Sequence, residues 1–209
     1  MSDCRLYLIT PPSIIDVPSL VTMVSEALEG GDVACIQVRL KDVDDDTVVA
    51  AAKALLPIAH EKDCVVLVND RADLAAAAEA DGVHLGQSDG DVASARTLLG
   101  HTASIGVTCH DSMHLAFEAG EAGADYVAFG AFYPTETKVT EYQATPDLLT
   151  KWAEVTELPC VAIGGITPET AGGLAKAGAD FIAVSSAVWQ HPEGPKRAVA
   201  EFNAALQTD

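Results

Sequence analysis

The stretch "VVLVNDRAD", residues 65–73, changes character in its middle. Four β-favouring aliphatic residues lead directly into an amide, a carboxylate and a guanidinium, with no spacer between them. The apolar half is typical of a strand covered on both faces, where polar groups of this kind are costly to bury. The polar half therefore predicts that the strand stops here and that Asn69 and Asp70 lie at its open end.

The same alternation organises the rest of the chain. Longer amphipathic stretches separate the apolar runs; one of them, residues 44–62, opens with acids suited to a helix N-terminus. Another, residues 167–178, begins with Thr and Pro and stops at Gly. The predicted strands are residues 5–9, 33–39, 64–68, 82–85, 103–107, 125–130, 159–164 and 180–185.

Eight strands that alternate with helices predict a parallel sheet, because each helical crossover returns the next strand in the same direction. The chain has 209 residues and no Pro/Ser linker or break in composition. Eight units within this length are near the lower size limit of a closed barrel. We therefore predict an α/β fold, a single (β/α)8 TIM barrel with one domain over residues 1–209. A doubly wound open sheet is the alternative.

Composition narrows the classes of partner. The formal net charge of −19 disfavours nucleic acid and anionic membrane surfaces, since both require a basic face. No apolar run approaches the roughly 20 residues that cross a bilayer, and the first residues lack the pattern of an export signal. The five cysteines are an odd number with no close pair, which suits a reducing compartment. These features predict a cytoplasmic protein with small-molecule ligands.

Polar or glycine-rich segments end or follow every predicted strand from the second onward. They are QVRLK (37–41), NDR (69–71), GQSD (86–89), TCHD (108–111), FYPTETK (132–138), GGI (164–166) and SS (185–186). The carboxyl ends of parallel barrel strands open on one face, which is where barrel enzymes carry out their chemistry. We therefore expect these segments to meet around one site.

The positive charges show the same bias. Four of the twelve lysine and arginine residues lie at these strand ends: Arg39, Lys41, Arg71 and Lys138. A cationic rim on an acidic protein is what an anionic substrate requires, and the arginine fork suits phosphate oxygens. Arg71 is the exception, because Asp70 and Asp73 beside it are the expected partners of its guanidinium.

Asp70 and Asp89 follow neighbouring predicted strands, so the barrel would bring their carboxylates together. Two carboxylates near bound phosphate repel one another unless a cation lies between them. Mg²⁺ is commonly held by one or two carboxylates and phosphate oxygens. The pair therefore predicts a Mg²⁺ site, the alternative for Asp89 being an N-cap of the following helix.

The last two strand exits have a different chemistry. Residues 163–166, IGGI, allow close approach of a ligand to the backbone, and residues 184–188, VSSAV, offer hydroxyl and amide groups ahead of a helix. Loops after strands seven and eight form the recurrent phosphate site of barrel enzymes. The exits of strands two to four thus form a cationic region linked to the metal pair, and the exits of strands seven and eight form a region of backbone and hydroxyl groups. The first predicts a site for a pyrophosphate that is displaced, and the second a site for a monophosphate that is held.

The segments QVRLK, NDRADLA, DGVHLGQSD, YPTETK, IGGI and SSAV, in this order and spacing, resemble the thiamine-phosphate synthase family. The resemblance runs from about residue 5 to residue 190. It implies a Mg²⁺-dependent transferase that joins hydroxymethylpyrimidine pyrophosphate to thiazole phosphate. In the implied reaction the pyrimidine leaves pyrophosphate as a methylene cation, which the thiazole nitrogen captures.

The resemblance also implies roles for individual residues. It places the departing pyrophosphate at Gln37, Arg39, Lys41, Asn69 and Lys138. It places the thiazole phosphate at Thr135, Thr137, Gly165, Ser185 and Ser186. It places Mg²⁺ at Asp70 and Asp89, and the pyrimidine beside Thr108. The catalytic positions that it implies are Arg39, Lys41, Lys138 and Thr108.

The sequence departs from the family pattern without losing a charged group. Thr108 stands where the family usually has Ser, and its extra methyl group lies beside the expected pyrimidine. Ser185 replaces an aliphatic residue, and Ala131 stands where Pro is common. These departures concern fine contacts and leave the implied reaction unchanged.

Two other functions compete with the synthase. The related thiazole tautomerase would use His110 as its proton-transfer group, but an isomerase has no need for the Asp70/Asp89 pair. A phosphate-binding homologue without catalysis would have lost some of the charged set, and none is missing. His84 is expected to be a satisfied core or supporting histidine.

Overall fold

The computed structural model describes residues 4–135 and 142–207. The strands are β1 (Arg5–Ile9), β2 (Cys35–Val38), β3 (Val65–Asn69), β4 (Gly82–Leu85), β5 (Ser104–His110), β6 (Tyr126–Gly130), β7 (Cys160–Ile163) and β8 (Phe181–Val184). They form a closed barrel in chain order with every neighbouring pair parallel. Closure of β8 onto β1 confirms the predicted barrel and excludes the open sheet.

Helices follow each strand and cover the barrel. They are α1 (Val17–Leu28), α2 (Asp45–His60), α3 (Ala72–Ala78), α4 (Val92–Leu99), α5 (Met113–Glu121), α6 (Pro146–Val155), α7 (Pro168–Lys176), α8 (Ser186–Trp189) and α9 (Pro195–Leu206). The signals read at two helix starts are confirmed: Asp44 caps α2, and Thr167 caps α7 with Pro168 in its first turn. Across the described ranges, no helix is both long and apolar enough to traverse a bilayer.

Side chains alternate between two buried layers along each strand. Residues such as Leu8, Ile36 and Val68 belong to the large apolar layer between barrel and helices. The intervening positions form a smaller cluster inside the barrel: Tyr7, Ile9, Cys35, Leu67, Tyr126, Ala128, Val161 and Ala183. This period of two places Gln37, two residues after Cys35, on the same inner side as Tyr7.

One glycine makes room for a large inner side chain. A Cβ placed on Gly106 of β5 would overlap the ring of Tyr126 on the neighbouring strand. The absence of a side chain there lets the Tyr126 hydroxyl reach the middle of the barrel, where it meets the hydroxyl of Tyr7 at 3.0 Å. The interior of the barrel therefore contains a polar centre as well as an apolar wall.

The amino ends of the strands are fixed by a repeated carboxylate contact. An aspartate just before β4, β6 or β8 accepts the N–H of a residue at the start of the preceding strand. The three bonds join Val66 to Asp81 at 2.7 Å, Ile105 to Asp125 at 2.7 Å, and Cys160 to Asp180 at 2.8 Å. These contacts hold the base of the barrel, opposite the face on which the predicted site residues lie.

Strand limits differ from the sequence predictions by a few residues. β5 continues beyond the predicted residue 107 to His110, with a shift of register between Thr108 and His110. Pairing with β6 and not hydrophobicity sets this end, so polar Thr108 remains in the ladder. All five cysteines are buried, and none of them forms a disulfide.

Candidate active site

The second strand exit is held by bonds to the first. Gln37 is only 3% exposed, and its Nε2 donates to the Tyr7 hydroxyl at 2.8 Å. The backbone N–H of Arg39 donates to Thr10 Oγ1 at 2.9 Å, and that of Lys41 donates to the carbonyl of Pro12 at 2.7 Å. These bonds fix the backbone and leave the Arg39 and Lys41 side chains at the carboxyl face.

Asp70 and Asp89 converge, although they follow different strands. Asp70 has a left-handed backbone, with φ of 65°, and its N–H donates to the carbonyl of His84 at 2.7 Å. A Cβ placed on Gly86 would overlap Asp89 Oδ2 and lie 3.9 Å from Asp70 Oδ1. Both carboxylates therefore lie beside Gly86, and Lys41 Nζ is 3.9 Å from Asp70 Oδ2.

The electrostatics of this pair favour a bound cation. Burial raises the pKa of Asp70, and the negative charge of Asp89 raises it further, against the opposing effect of Lys41 and Arg39. A divalent cation would relieve that repulsion. Within residues 4–135 and 142–207, no cluster of three or more His, Cys, Asp or Glu forms a complete cage. Two carboxylates completed by phosphate oxygens are a usual donor set for Mg²⁺, so the residues fit the predicted ion.

Asp89 does not cap the following helix. α4 begins after Asp91, whose carboxylate accepts the N–H of Ser94 at 2.8 Å. The alternative reading of Asp89 as an N-cap is therefore wrong, because a second aspartate two residues later takes that role. Asp89 is exposed and directed to the neighbourhood of Asp70 instead.

Arg71 is engaged in ion pairs, as expected. It donates to Asp73 at 2.7 Å and to Asp45 on α2 at 3.0 Å. Asp73 was the predicted partner, whereas Asp45 takes the place expected for Asp70. The pairing leaves Asp70 oriented towards Lys41 and Asp89.

The exits of β6, β7 and β8 build the second region. The N–H of Tyr133 donates to the carbonyl of Gly164 at 3.0 Å, and a Cβ on Gly165 would overlap the carbonyl oxygen of Pro134. The loop that leads to half-buried Thr135 therefore lies directly against the glycine pair, and Gly165 has φ of 62°.

Ser185 and Ser186 sit where β8 passes into α8. The Ser185 hydroxyl donates to the carbonyl of Thr10 at 3.4 Å, and Ser186 is exposed at the first position of the helix. Thr10 thus contacts both the β2 and the β8 exits. Thr137 and Lys138, predicted for the thiazole phosphate and the pyrophosphate, lie outside the described residues.

His84 is the buried, hydrogen-bonded histidine that the sequence predicts, whereas His110 lies at the end of a strand. His84 is 8% exposed and bonds through Nδ1 to Tyr126 at 2.9 Å and through Nε2 to Thr108 at 2.8 Å. His110 has a left-handed backbone at the irregular end of β5, and its ring stacks on Tyr142 at 4.1 Å. Sequence reasoning missed Tyr7 and Tyr126, whose place in apolar strands resembled ordinary core.

Known proteins of one family resemble the chain over nearly its whole length. Residues 6–188 match a family model described as thiamine monophosphate synthase. The chain is 55% identical over 207 residues to the thiamine-phosphate synthase of Rhodospirillum centenum, covering 99% of this chain and all of the relative. It is 50% identical to that of Hyphomonas neptunium over 98% of this chain and 94% of the relative. The solved thiamine phosphate pyrophosphorylase of Pyrococcus furiosus superposes with a TM-score of 0.84 at 34% identity, covering 99% of this chain and 96% of that one.

Proposed function

Because the chain belongs to the thiamine monophosphate synthase family, we propose that it joins hydroxymethylpyrimidine pyrophosphate to thiazole phosphate, giving thiamine phosphate and pyrophosphate. The observation that carries the proposal is the meeting of Lys41, Asp70 and Asp89 at one end of the barrel. They come from three separate strand exits. A site for a metal-bound pyrophosphate accounts for a lysine beside two crowded carboxylates.

The reaction breaks the bond between the pyrimidine methylene carbon and a pyrophosphate oxygen. The electron pair leaves with the oxygen, and the thiazole nitrogen then gives its lone pair to the methylene cation. This sequence depends on stabilising negative charge on the leaving group more than on a general base. Arg39 and Lys41 supply that stabilisation, together with Lys138 by analogy with the family.

Asp70 and Asp89 would hold Mg²⁺. The ion would contribute positive charge against the pyrophosphate oxygens. Asn69, in the position before Asp70, contributes an amide group to the same end of the site, and Thr108 lines the expected position of the pyrimidine. Gln37, which the resemblance assigns to the pyrophosphate, is here proposed to border the pyrimidine as well, because its buried amide bonds to Tyr7 inside the barrel. These residues bind and orient the fragment that departs from pyrophosphate.

A separate anchor holds the second substrate. Gly165, Ser185 and Ser186 offer backbone and hydroxyl groups to the thiazole phosphate, with Thr135 on the adjoining loop and Thr137 assigned there by family resemblance. Two phosphate-binding regions on opposite sides of the carboxyl face of the barrel align the thiazole nitrogen with the methylene carbon. Such alignment converts a bimolecular encounter into a reaction within one complex.

The proposed setting is the cytoplasm, with small phosphorylated molecules and not nucleic acid as ligands. The five buried cysteines without disulfides support a reducing environment. The charge of −19 supports exclusion of nucleic acid.

The test is an assay of the purified protein with both precursors, in the presence of Mg²⁺ and then with a chelator. Formation of thiamine phosphate only with the metal is expected. Arg39→Ala should lose the activity, whereas Arg71→Ala is the matched control, because the Arg71 guanidinium is committed to Asp73 and Asp45. Interconversion of thiazole isomers without coupling would assign the protein as a tautomerase, and binding of both phosphates without turnover would assign it as a binding protein.

A further inference from the structure

A chain of hydrogen bonds crosses the interior of the barrel and ends at two of the proposed substrate contacts. It links, in order, Gln37, Tyr7, Tyr126, His84 and Thr108. The four distances are 2.8, 3.0, 2.9 and 2.8 Å. The five residues come from β2, β1, β6, β4 and β5, so the chain joins opposite walls of the barrel.

The interior members are buried and lie in contact with one another. Tyr7 and Tyr126 are 3% and 8% exposed, and the His84 ring stacks on Tyr126 with a centroid distance of 5.6 Å. Burial raises the pKa of both tyrosines well above the ordinary value, so each phenol keeps its proton at neutral pH. Each phenol therefore has one proton to donate, and its direction is coupled to that of its neighbours.

The donor direction of every bond in the hydrogen-bond chain is inferred from the bond that Gln37 donates at one end. Because Gln37 donates its amide N–H to Tyr7, Tyr7 is free to donate to Tyr126, and Tyr126 to Nδ1 of His84. If Tyr126 donated to Tyr7 instead, the Tyr7 hydroxyl would have to donate its proton to the sulfur of nearby Cys35, which is a weak acceptor. A His84 ring that accepts at Nδ1 carries its proton at Nε2 and donates it to Thr108.

We propose that this chain sets the hydrogen-bonding character of the pyrimidine site, with His84 as a neutral Nε2–H tautomer and with Tyr7, Tyr126 and His84 as positioning residues. The inference rests on the proposed function. Gln37 then offers its carbonyl oxygen as an acceptor, and Thr108 offers its hydroxyl proton as a donor. One acceptor and one donor match the hydrogen-bonding groups of an aminopyrimidine, which carries an N–H donor group and ring nitrogen acceptors. An oxo-pyrimidine presents the opposite pattern.

A first experiment determines the donor direction of the hydrogen-bond chain without requiring turnover. Protein labelled with ¹⁵N-histidine is examined by long-range ¹⁵N–¹H correlation near neutral pH, and the His84 signals are assigned through their contact with the Tyr126 ring. The Nε2–H tautomer is expected. An Nδ1–H tautomer would overturn the proposal, because it reverses the bond between His84 and Tyr126 and the bond between Tyr126 and Tyr7, and makes Nε2 of His84 an acceptor towards Thr108.

A second experiment measures substrate preference. Tyr126→Phe removes the hydroxyl that links Tyr7 to His84, and Tyr7→Phe removes the hydroxyl that links Gln37 to Tyr126. Each should reduce the ratio of kcat/KM for the amino substrate over the oxo analogue by about tenfold, the value of one neutral hydrogen bond. Trp152→Phe is the control, since it removes a different, partly buried hydrogen bond, to the carbonyl of Leu158 outside the barrel interior, and should leave the ratio unchanged.

The outcomes separate this inference from the proposed function. If the wild-type protein forms no thiamine phosphate, the proposed function fails and the preference cannot arise, whatever the tautomer. If the wild type is active and the two phenylalanine variants retain the wild-type preference, the positioning role fails while the synthase function stands.

Discussion

Replacing Asp89 by asparagine is expected to stabilise the metal-free protein. The substitution removes one of two neighbouring negative charges and leaves the contact between Lys41 and Asp70 in place. Because the Asp89 carboxylate does not cap α4, no helix N-terminus is disturbed. The gain should equal the repulsion that Asp89 exerts on Asp70.

The size of that repulsion follows from the geometry. The nearest oxygens of Asp70 and Asp89 both border Gly86 and lie within about 6 Å of one another, and unit charges at that separation repel by about 0.7–3 kcal/mol for effective dielectric constants of about 80 to 20. The Asp70 side chain is 31% exposed, so solvent screening favours the lower limit for its interaction with Asp89. We therefore expect Asp89→Asn to raise the free energy of unfolding by about 1 kcal/mol, which corresponds to about 2–4 °C in Tm.

The effect should depend on pH with a definite sign. The pKa of Asp70 is raised in the folded protein above its ordinary value of 3.8. In the pH window between the pKa of the unfolded state and that of the folded state, the folded protein therefore binds the Asp70 proton more strongly. The stability of the wild type therefore falls as pH rises through this window, and the full cost is present above it. The advantage of Asp89→Asn should be complete at neutral pH and should vanish below the window.

Thermal unfolding monitored by circular dichroism measures the change, first with a chelator and then with Mg²⁺ and pyrophosphate. The wild type should gain stability from the ligands and the variant should gain much less. Asp42→Asn, which removes one negative charge near the exit of β2, controls for net charge. A variant that is less stable than the wild type without metal, or that gains equally from the ligands, would refute the reasoning.

Three other predictions concern separate parts of the molecule. Asp70→Ala or Lys138→Ala should abolish coupling while circular dichroism shows an intact fold, because each removes one charge from the proposed pyrophosphate site. Asp125→Ala should lower the free energy of unfolding in urea by about 1–3 kcal/mol, since it leaves the N–H of Ile105 without its carboxylate acceptor; an unchanged midpoint would contradict this. Burial raises the pKa of the Cys109 thiol to about 12, so a thiol reagent should label it at neutral pH only after unfolding, and rapid labelling of the native protein would be inconsistent with that burial.

The fold was predictable because repetition is visible in one sequence. Apolar runs of strand length recur with helices between them, and their number favours a closed barrel over the open sheet, which only the pairing of β8 with β1 excludes. The limits of individual strands were less predictable, since Thr108 stays within β5 by pairing with β6 despite its polar side chain. Hydrogen-bonded registers of this kind leave no local signal in composition.

The convergence of the candidate site residues was predictable where polar side chains directly follow a strand, as at Asp70. It was less predictable where one residue type serves two purposes. Asp89 and Asp91 are both suited to cap α4, and only the helix start shows that Asp91 does so. Tyr7 and Tyr126 were missed because an inward tyrosine in an apolar strand has the pattern of ordinary core, and their bond spans 119 positions of the chain.

The most direct test of the central claim is a crystal structure of the protein with pyrophosphate and Mn²⁺ in place of Mg²⁺, with anomalous diffraction to locate the metal. The metal is expected between the carboxylates of Asp70 and Asp89, with pyrophosphate against Arg39 and Lys41. A metal bound away from that pair, or pyrophosphate held only at the exits of β7 and β8, would contradict the assignment of the strand exits to one pyrophosphate-releasing site.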